Sequence, residues 1–228
     1  MNLIQSTLEH LVLPPNDSPS AKHPTIIMLH GRGADEHDLV GLADYLDPSL
    51  FVVSVRAPFP FQWGGGYTWY DILEVGSPEP RMFAESYRKL TQFMSDALSQ
   101  YPIDGNRVFL LGFSMGTMMS YSLLLTRPEL FAGVVANSGY VPEDVDLRFQ
   151  WETLAGKQIF VSHGANDPII PIGLGRRARE LLESAQAEVT YREYDMAHQM
   201  SDESVKDIAA WLGERLKSKC QMPNDKSP

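Results

Sequence analysis

Three short runs of this chain, Thr25-Ile26-Ile27-Met28-Leu29, Phe51-Val52-Val53-Ser54-Val55 and Val108-Phe109-Leu110-Leu111, are apolar almost without interruption. A strand with one face in water alternates apolar and polar side chains, so continuous apolar runs of this length belong to strands covered on both faces. Helical patterns separate the runs. That order restricts the chain to a mostly parallel central sheet with helices on both faces. The patterning predicts strands over 3–13, 25–29, 51–55, 107–112, 131–137, 157–163 and 188–194. It predicts helices over 35–46, 81–100, 115–126, 172–186 and 201–218. Asp35, Glu36 and Asp38 would occupy the exposed first turn of the first helix, where the dipole favours acids. One domain is expected over 1–218, followed by a disordered tail over 219–228.

Composition removes several classes of function. The net charge of −10 repels phosphate backbones and anionic lipid headgroups, so neither nucleic acid nor membrane is an expected partner. The uncharged stretch from Val108 to Thr126 is broken by Gly112, Ser114, Gly116, Ser120 and Ser122, and reads as a buried strand and helix rather than a membrane span. The single cysteine, Cys220, makes no internal disulfide, and Met1 to His10 has no leader-like pattern. A cytoplasmic location follows as the default expectation.

The chemistry is concentrated where the third apolar run meets a helix. Gly112-Phe113-Ser114-Met115-Gly116 is Gly-x-Ser-x-Gly between strand and helix, the form of a nucleophile elbow. The serine backbone is strained at such a turn, and glycines two positions away let helix and strand approach. The pentapeptide alone arises by chance in roughly one chain in ten of this size, so its placement carries the weight. A serine hydroxyl needs a base, and the base needs an acid to fix its tautomer. On this kind of scaffold the acid and then the histidine follow on loops after later strands. His163-Gly164-Ala165-Asn166-Asp167-Pro168 and Tyr194-Asp195-Met196-Ala197-His198 occupy those places, which makes Ser114, Asp167 and His198 the candidate triad.

The competing residues have blander readings. His163 precedes the acid and reads as a structural histidine orienting the Asp167 turn. Asp195 sits too near His198 on the same loop to serve as the acid. His37, among Asp35, Glu36 and Asp38, belongs to an exposed acidic turn rather than a metal site. His10 and His23 read as members of polar or turn segments, and no functional role is expected of either. The oxyanion hole needs the N–H of the residue after the nucleophile, Met115, and one from the loop after an earlier strand. Arg32, in Leu29-His30-Gly31-Arg32-Gly33, is the candidate for the second.

Taken together, the His30-Gly31-x-Gly33 loop, the elbow, the His163-to-Pro171 segment and Met196-x-His198 resemble the phospholipase/carboxylesterase family. Arg56-Ala57-Pro58 and Trp69-Tyr70-Asp71 look like further landmarks of that family, which includes acyl-protein thioesterases and bacterial carboxylesterases. The resemblance covers about residues 24–212. It implies an α/β-hydrolase fold, the triad above, and backbone N–H donation by Arg32 and Met115. Arg32 and Met115 stand where acyl-protein thioesterases are expected to carry Leu and Gln, and the Gly64-Gly65-Gly66 loop also departs from the thioesterase form.

The expected reaction is a two-step acyl transfer on small esters with short-to-medium acyl groups, without metal or organic cofactor. Only residues 139–156 separate two successive strands, too few for a large lid domain. The 57–80 stretch carries Phe59, Phe61, Trp63, Tyr67, Trp69 and Tyr70. Trp63 and Trp69, with Ile170 of the acid loop, are the candidate substrate-binding residues.

Overall fold

The computed structural model describes residues 3–15, 21–74 and 77–217. The expected tail and Cys220 lie outside the described residues. Seven strands form the main sheet: β1 (His10–Leu13), β2 (His23–Leu29), β3 (Phe51–Val55), β4 (Ile103–Phe113), β5 (Gly133–Asn137), β6 (Gln158–Gly164) and β7 (Glu188–Tyr194). Their spatial order is β1-β3-β2-β4-β5-β6-β7. Only β1 runs antiparallel to its neighbour; every other pairing is parallel. β2 and β3 are buried at every position, as their nearly continuous apolar runs require.

Alternate side chains of each strand enter different cores. Ile27, Leu29, Val53, Leu110, Val134 and Ile159 face one side, where α1 (Pro80–Gln100), α2 (Met115–Thr126) and α3 (Ile172–Ser184) pack. Ile26, Met28, Val52, Phe109, Val135 and Phe160 face the other, against Ile208, Trp211 and Leu212 of α4 (Asp202–Lys217). The sheet is therefore covered on both faces, the three-layer α/β architecture anticipated from the sequence. Between β5 and β6 there is one short 3-10 turn, Trp151–Thr153, and no inserted lid domain.

The helix starts follow from local chemistry. Glu79 caps α1, accepting from Arg81 N at 3.2 Å and Met82 N at 2.7 Å, and Pro80 occupies the first turn, where a missing N–H costs nothing. Phe83, Leu90, Phe93, Met94 and Ala97 recur at helical spacing on its buried face.

Several expectations are corrected. The helix predicted over 35–46 is a 3-10 turn limited to Val40–Tyr45. Asp35 Oδ1 accepts the His37 N–H at 2.9 Å, a side-chain turn that competes with helical hydrogen bonding. Glu36 is not in an exposed acidic turn: it is buried and paired with Arg56. The first strand shrinks from 3–13 to His10–Leu13, the part that pairs with β3. His10 is buried, its Nε2 2.6 Å from the Tyr101 hydroxyl, and His23 is buried at the start of β2. Their polar neighbours in sequence point outward and concealed this.

Candidate active site

Parallel strands end at one rim, and the register fixes which loops meet there. Leu29 pairs with Gly112, Phe113 with Asn137, Asn137 with Ser162 and Gly164 with Tyr194. The segments that follow, beginning at His30, Ser114, Ser138, Ala165 and Asp195, therefore emerge side by side at the carboxyl ends of the strands, where open α/β sheets bind ligands.

Ser114 has φ 52 and ψ −119, well outside the ordinary basins of an L-residue. Close packing holds it there. A Cβ on Gly116 would lie 1.9 Å from the Leu29 carbonyl oxygen, and one on Gly112 would lie 2.6 Å from the Gly116 carbonyl carbon. The Ser114 N–H donates to Asn137 O at 2.9 Å, and Asn137 Nδ2 donates to Gly112 O at 3.0 Å. Asn137, which sequence reasoning passed over, thus pins both sides of the turn. The signal for it was a lone polar residue ending the apolar run Gly133-Val134-Val135-Ala136.

The structure brings the three candidate side chains together. His198 Nε2 lies 2.9 Å from Ser114 Oγ, and His198 Nδ1 lies 2.7 Å from Asp167 Oδ2. Asp167 Oδ1 accepts N–H bonds from Ile169 and Ile170, both at 2.9 Å. Burial works against the Asp167 charge, but the His198 contact and these two N–H groups outweigh it and hold its carboxyl below the usual range. Gly164 brings the acid and histidine loops together: a Cβ there would meet Ala197 O at 2.2 Å. The loops are also joined by Ala165 N donating to Tyr194 O at 2.8 Å and Asn166 N to Met196 O at 3.1 Å. The Phe113 ring packs on the His198 imidazole with centroids 5.0 Å apart.

The other candidates sort cleanly. His163 is fully buried, its Nε2 2.8 Å from Ile170 O and 3.5 Å from Asp167 Oδ2, so it abuts the acid turn. Its Nδ1 finds no partner and faces Gly175, where a Cβ would lie 2.6 Å away. Asp195 accepts from Asn166 Nδ2 at 2.7 Å and is exposed. Asp35, Glu36 and His37 bring ligand-type atoms within 4.8 Å of one another. Both carboxylates are already engaged, Glu36 by Arg56 and Asp35 by His37.

Beside the elbow runs the loop holding Arg32. A Cβ on Gly31 would lie 3.4 Å from Ser114 Cβ and 3.1 Å from Phe113 Cδ1. His30 braces this loop from below: its Nδ1–H donates to Gly31 O at 2.7 Å, and its Nε2 accepts from Ala57 N at 3.0 Å. Burial lowers the His30 pKa, which keeps the imidazole in the neutral form those contacts need. Met115 opens α2, and the first N–H groups of a helix have no intrahelical acceptor. The Arg32 side chain is exposed and lies 5.4 Å from the Phe61 ring centroid.

The substrate-binding expectation needs correction at Trp69. Trp69 is completely buried and donates its Nε1–H to His30 O at 2.9 Å, so it supports the loop from beneath and lines no open pocket. Trp63 is 86% exposed and projects into solvent. Ile170 is buried, and its main chain serves Asp167 and His163.

A family model described as Phospholipase/Carboxylesterase matches residues 15–215. The chain belongs to that family. Among curated proteins similar to it, acyl-protein thioesterase 1 of Cryptococcus neoformans is 28% identical, over 93% of this chain and 99% of its own length. Among solved structures, the Bacillus cereus carboxylesterase is 28% identical with a TM-score of 0.79, covering 91% of this chain and 94% of its own. A carboxylesterase from Mesorhizobium loti, 22% identical with a TM-score of 0.80 over 92% of this chain and 97% of its own, shares the fold. The α/β-hydrolase fold expected from the sequence is the fold of the chain. No helix among the described residues is long and apolar enough to cross a membrane.

Proposed function

We propose that the protein is a serine carboxylesterase acting on small esters with short-to-medium acyl groups. The observation that carries this reading is the continuous hydrogen-bonded line from Ser114 Oγ through His198 to Asp167, at 2.9 and 2.7 Å. His198 takes the Ser114 proton as the oxygen attacks the ester carbonyl, and Asp167 holds the imidazole and balances its charge. The N–H groups of Arg32 and Met115 receive the developing oxyanion. The tetrahedral adduct collapses to an acyl-serine, His198 protonates the departing alcohol, and a water activated by His198 releases the carboxylic acid. Every bond made or broken in this sequence is served by the chain's own groups and water. A cytoplasmic setting belongs to the same reading, because one cysteine builds no internal disulfide.

The test is labelling with a fluorophosphonate probe followed by peptide mapping. Modification confined to Ser114 is expected. Labelling at another serine, or none in freshly folded protein, overturns the assignment.

A second reading, an acyl-protein thioesterase or lysophospholipase acting on long acyl chains, is favoured by the 28% identity to acyl-protein thioesterase 1. Absence of a helical cap and departures at Arg32 and Met115 favour small esters instead. Turnover of 4-nitrophenyl acetate, butyrate and palmitate separates the two, since a marked preference for palmitate would count against the first reading.

A further inference from the structure

Arg56 follows the end of β3 and links, through its side chain, two segments that also pair through their backbones. Its Nε donates to Glu36 Oε2 at 2.5 Å and its Nη2 to Glu36 Oε1, a two-point grip on a side chain that is only 5% exposed. The same guanidinium lies 4.6 Å from the Tyr67 ring centroid, with Nη1 3.3 Å from the Tyr67 hydroxyl. Glu36 sits at the far end of the loop that carries Arg32. Tyr67 sits on the strand that brackets that loop: its carbonyl accepts Gly33 N–H at 2.8 Å, and its N–H donates to Ala34 O at 2.7 Å. Gly66, with φ +69, crosses so closely that a Cβ would lie 2.1 Å from Gly33 O.

Arg56 itself is anchored. Its N–H donates to Glu9 O at 2.8 Å, and the next residue, Ala57, donates to His30 Nε2. The anchored guanidinium therefore holds both sides of the peptide bridge adjoining Arg32. We propose that Arg56 is a positioning residue for the oxyanion hole, fixing the Arg32 N–H beside Ser114 by gripping Glu36 and Tyr67 together. The inference rests on the serine-esterase reading above. An ion pair serving stability alone would leave the transition state no worse bound than the substrate. A positioning role makes a different demand, because the oxyanion exists only after attack.

The experiment compares wild type with Arg56→Lys, Tyr67→Phe and Glu36→Gln on 4-nitrophenyl butyrate. Affinity for a trifluoromethyl ketone, which forms a hemiketal oxyanion with the serine, is measured in parallel. Arg56→Lys keeps the charge but loses the fork. Its kcat is expected to fall about 10- to 100-fold, less than the ~10²–10³ attached to a whole oxyanion donor. KM should stay within about threefold, and ketone affinity should weaken by the same factor as kcat/KM. Glu36→Gln should behave alike and add little to Arg56→Lys, because the two act as one unit. Tyr67→Phe, which removes only the hydroxyl contact, should lower kcat about two- to fivefold in the same manner.

A folded Arg56→Lys protein with wild-type kcat, or with reduced kcat and unchanged ketone affinity, overturns the proposal. If Arg56→Lys does not fold, Tyr67→Phe decides, and an unaltered kcat in that variant is equally fatal. Ser114→Ala assayed alongside separates the two claims. Turnover that survives its loss sinks the esterase reading, whereas turnover that depends on Ser114 but ignores Arg56→Lys sinks only the positioning role.

Discussion

At φ 52 and ψ −119, Ser114 carries strain on the order of 1–3 kcal/mol, which the surrounding packing must offset. Removing only its hydroxyl should leave that packing intact. Ser114→Ala is therefore expected to lower kcat on 4-nitrophenyl butyrate by at least ~10³-fold with an unchanged melting midpoint, read by steady-state kinetics and circular dichroism. A comparable rate in the variant would remove Ser114 from the chemistry. Gly116→Ala is the opposite case: a Cβ 1.9 Å from the Leu29 carbonyl oxygen collides with backbone, so this variant should fail to accumulate as folded protein. These positions were legible because a strained turn crossed by a strand admits so few residue types. Asp167 and His198 were legible because parallel strands deliver successive loops to one rim. Arg56 and Glu36 were not, since an ion pair joining a strand end to a distant loop leaves no periodic trace in sequence. Trp69 misled for a related reason. Aromatic content marks a segment as adhesive without saying which ring turns inward.

Elements differ in how much of their conformation sequence alone dictates. All twelve residues of α2 are buried, so its uncharged sequence is the mark of a helix enclosed by β4, β5 and α1. Three of its hydroxyls are satisfied within the helix, Ser120 donating to Gly116 O at 2.9 Å, Ser122 to Met118 O at 2.8 Å and Thr126 to Ser122 O at 2.6 Å, while Thr117 donates to Asn137 O of β5 at 2.7 Å. Leu124, completely buried, should therefore be costly to truncate: Leu124→Ala is expected to destabilise by ~2–5 kcal/mol, measured by urea unfolding. A cost below about 0.5 kcal/mol would mean that the site is solvated or collapses freely. The long helices and all-apolar strands were readable because burial enforces one period over many residues. The 35–46 segment was not. Its apolar spacing fits a helix, but Asp35 closes a side-chain turn on His37 and Arg56 pulls Glu36 inward. Tertiary pairing there overrides a local preference that the sequence states correctly.

For the molecule as a whole, the chain's charge and its buried histidines set its response to acid. Burial lowers the pKa of His10 and His30 from the ordinary 6.5, so the folded state binds protons less readily than the unfolded chain. Such groups contribute stability that is full above the unfolded value and is lost as pH falls below it. The carboxyls of Asp167 and Glu36 are also depressed, from ordinary values of 3.8 and 4.5, and Glu193, held by Arg176, reaches about 2. Their contribution has the same sign but is lost at lower pH. Asp38 acts oppositely, burial raising its carboxyl, and offsets part of the second phase. Acid should therefore weaken the fold in two stages, one beginning near pH 6.5 from the histidines and one below about pH 4.5 from the carboxyls. The measurement is the urea midpoint at intervals from pH 7 to pH 3. His10→Phe replaces a buried imidazole with a ring that cannot titrate, and the Tyr101 hydroxyl still accepts the Ile4 N–H at 3.1 Å. The variant should shrink the upper stage to the share contributed by His30 and leave the lower one in place. A wild-type midpoint that is level between pH 7 and pH 5, or an upper stage undiminished in His10→Phe, would show that the buried histidines do not set the upper stage.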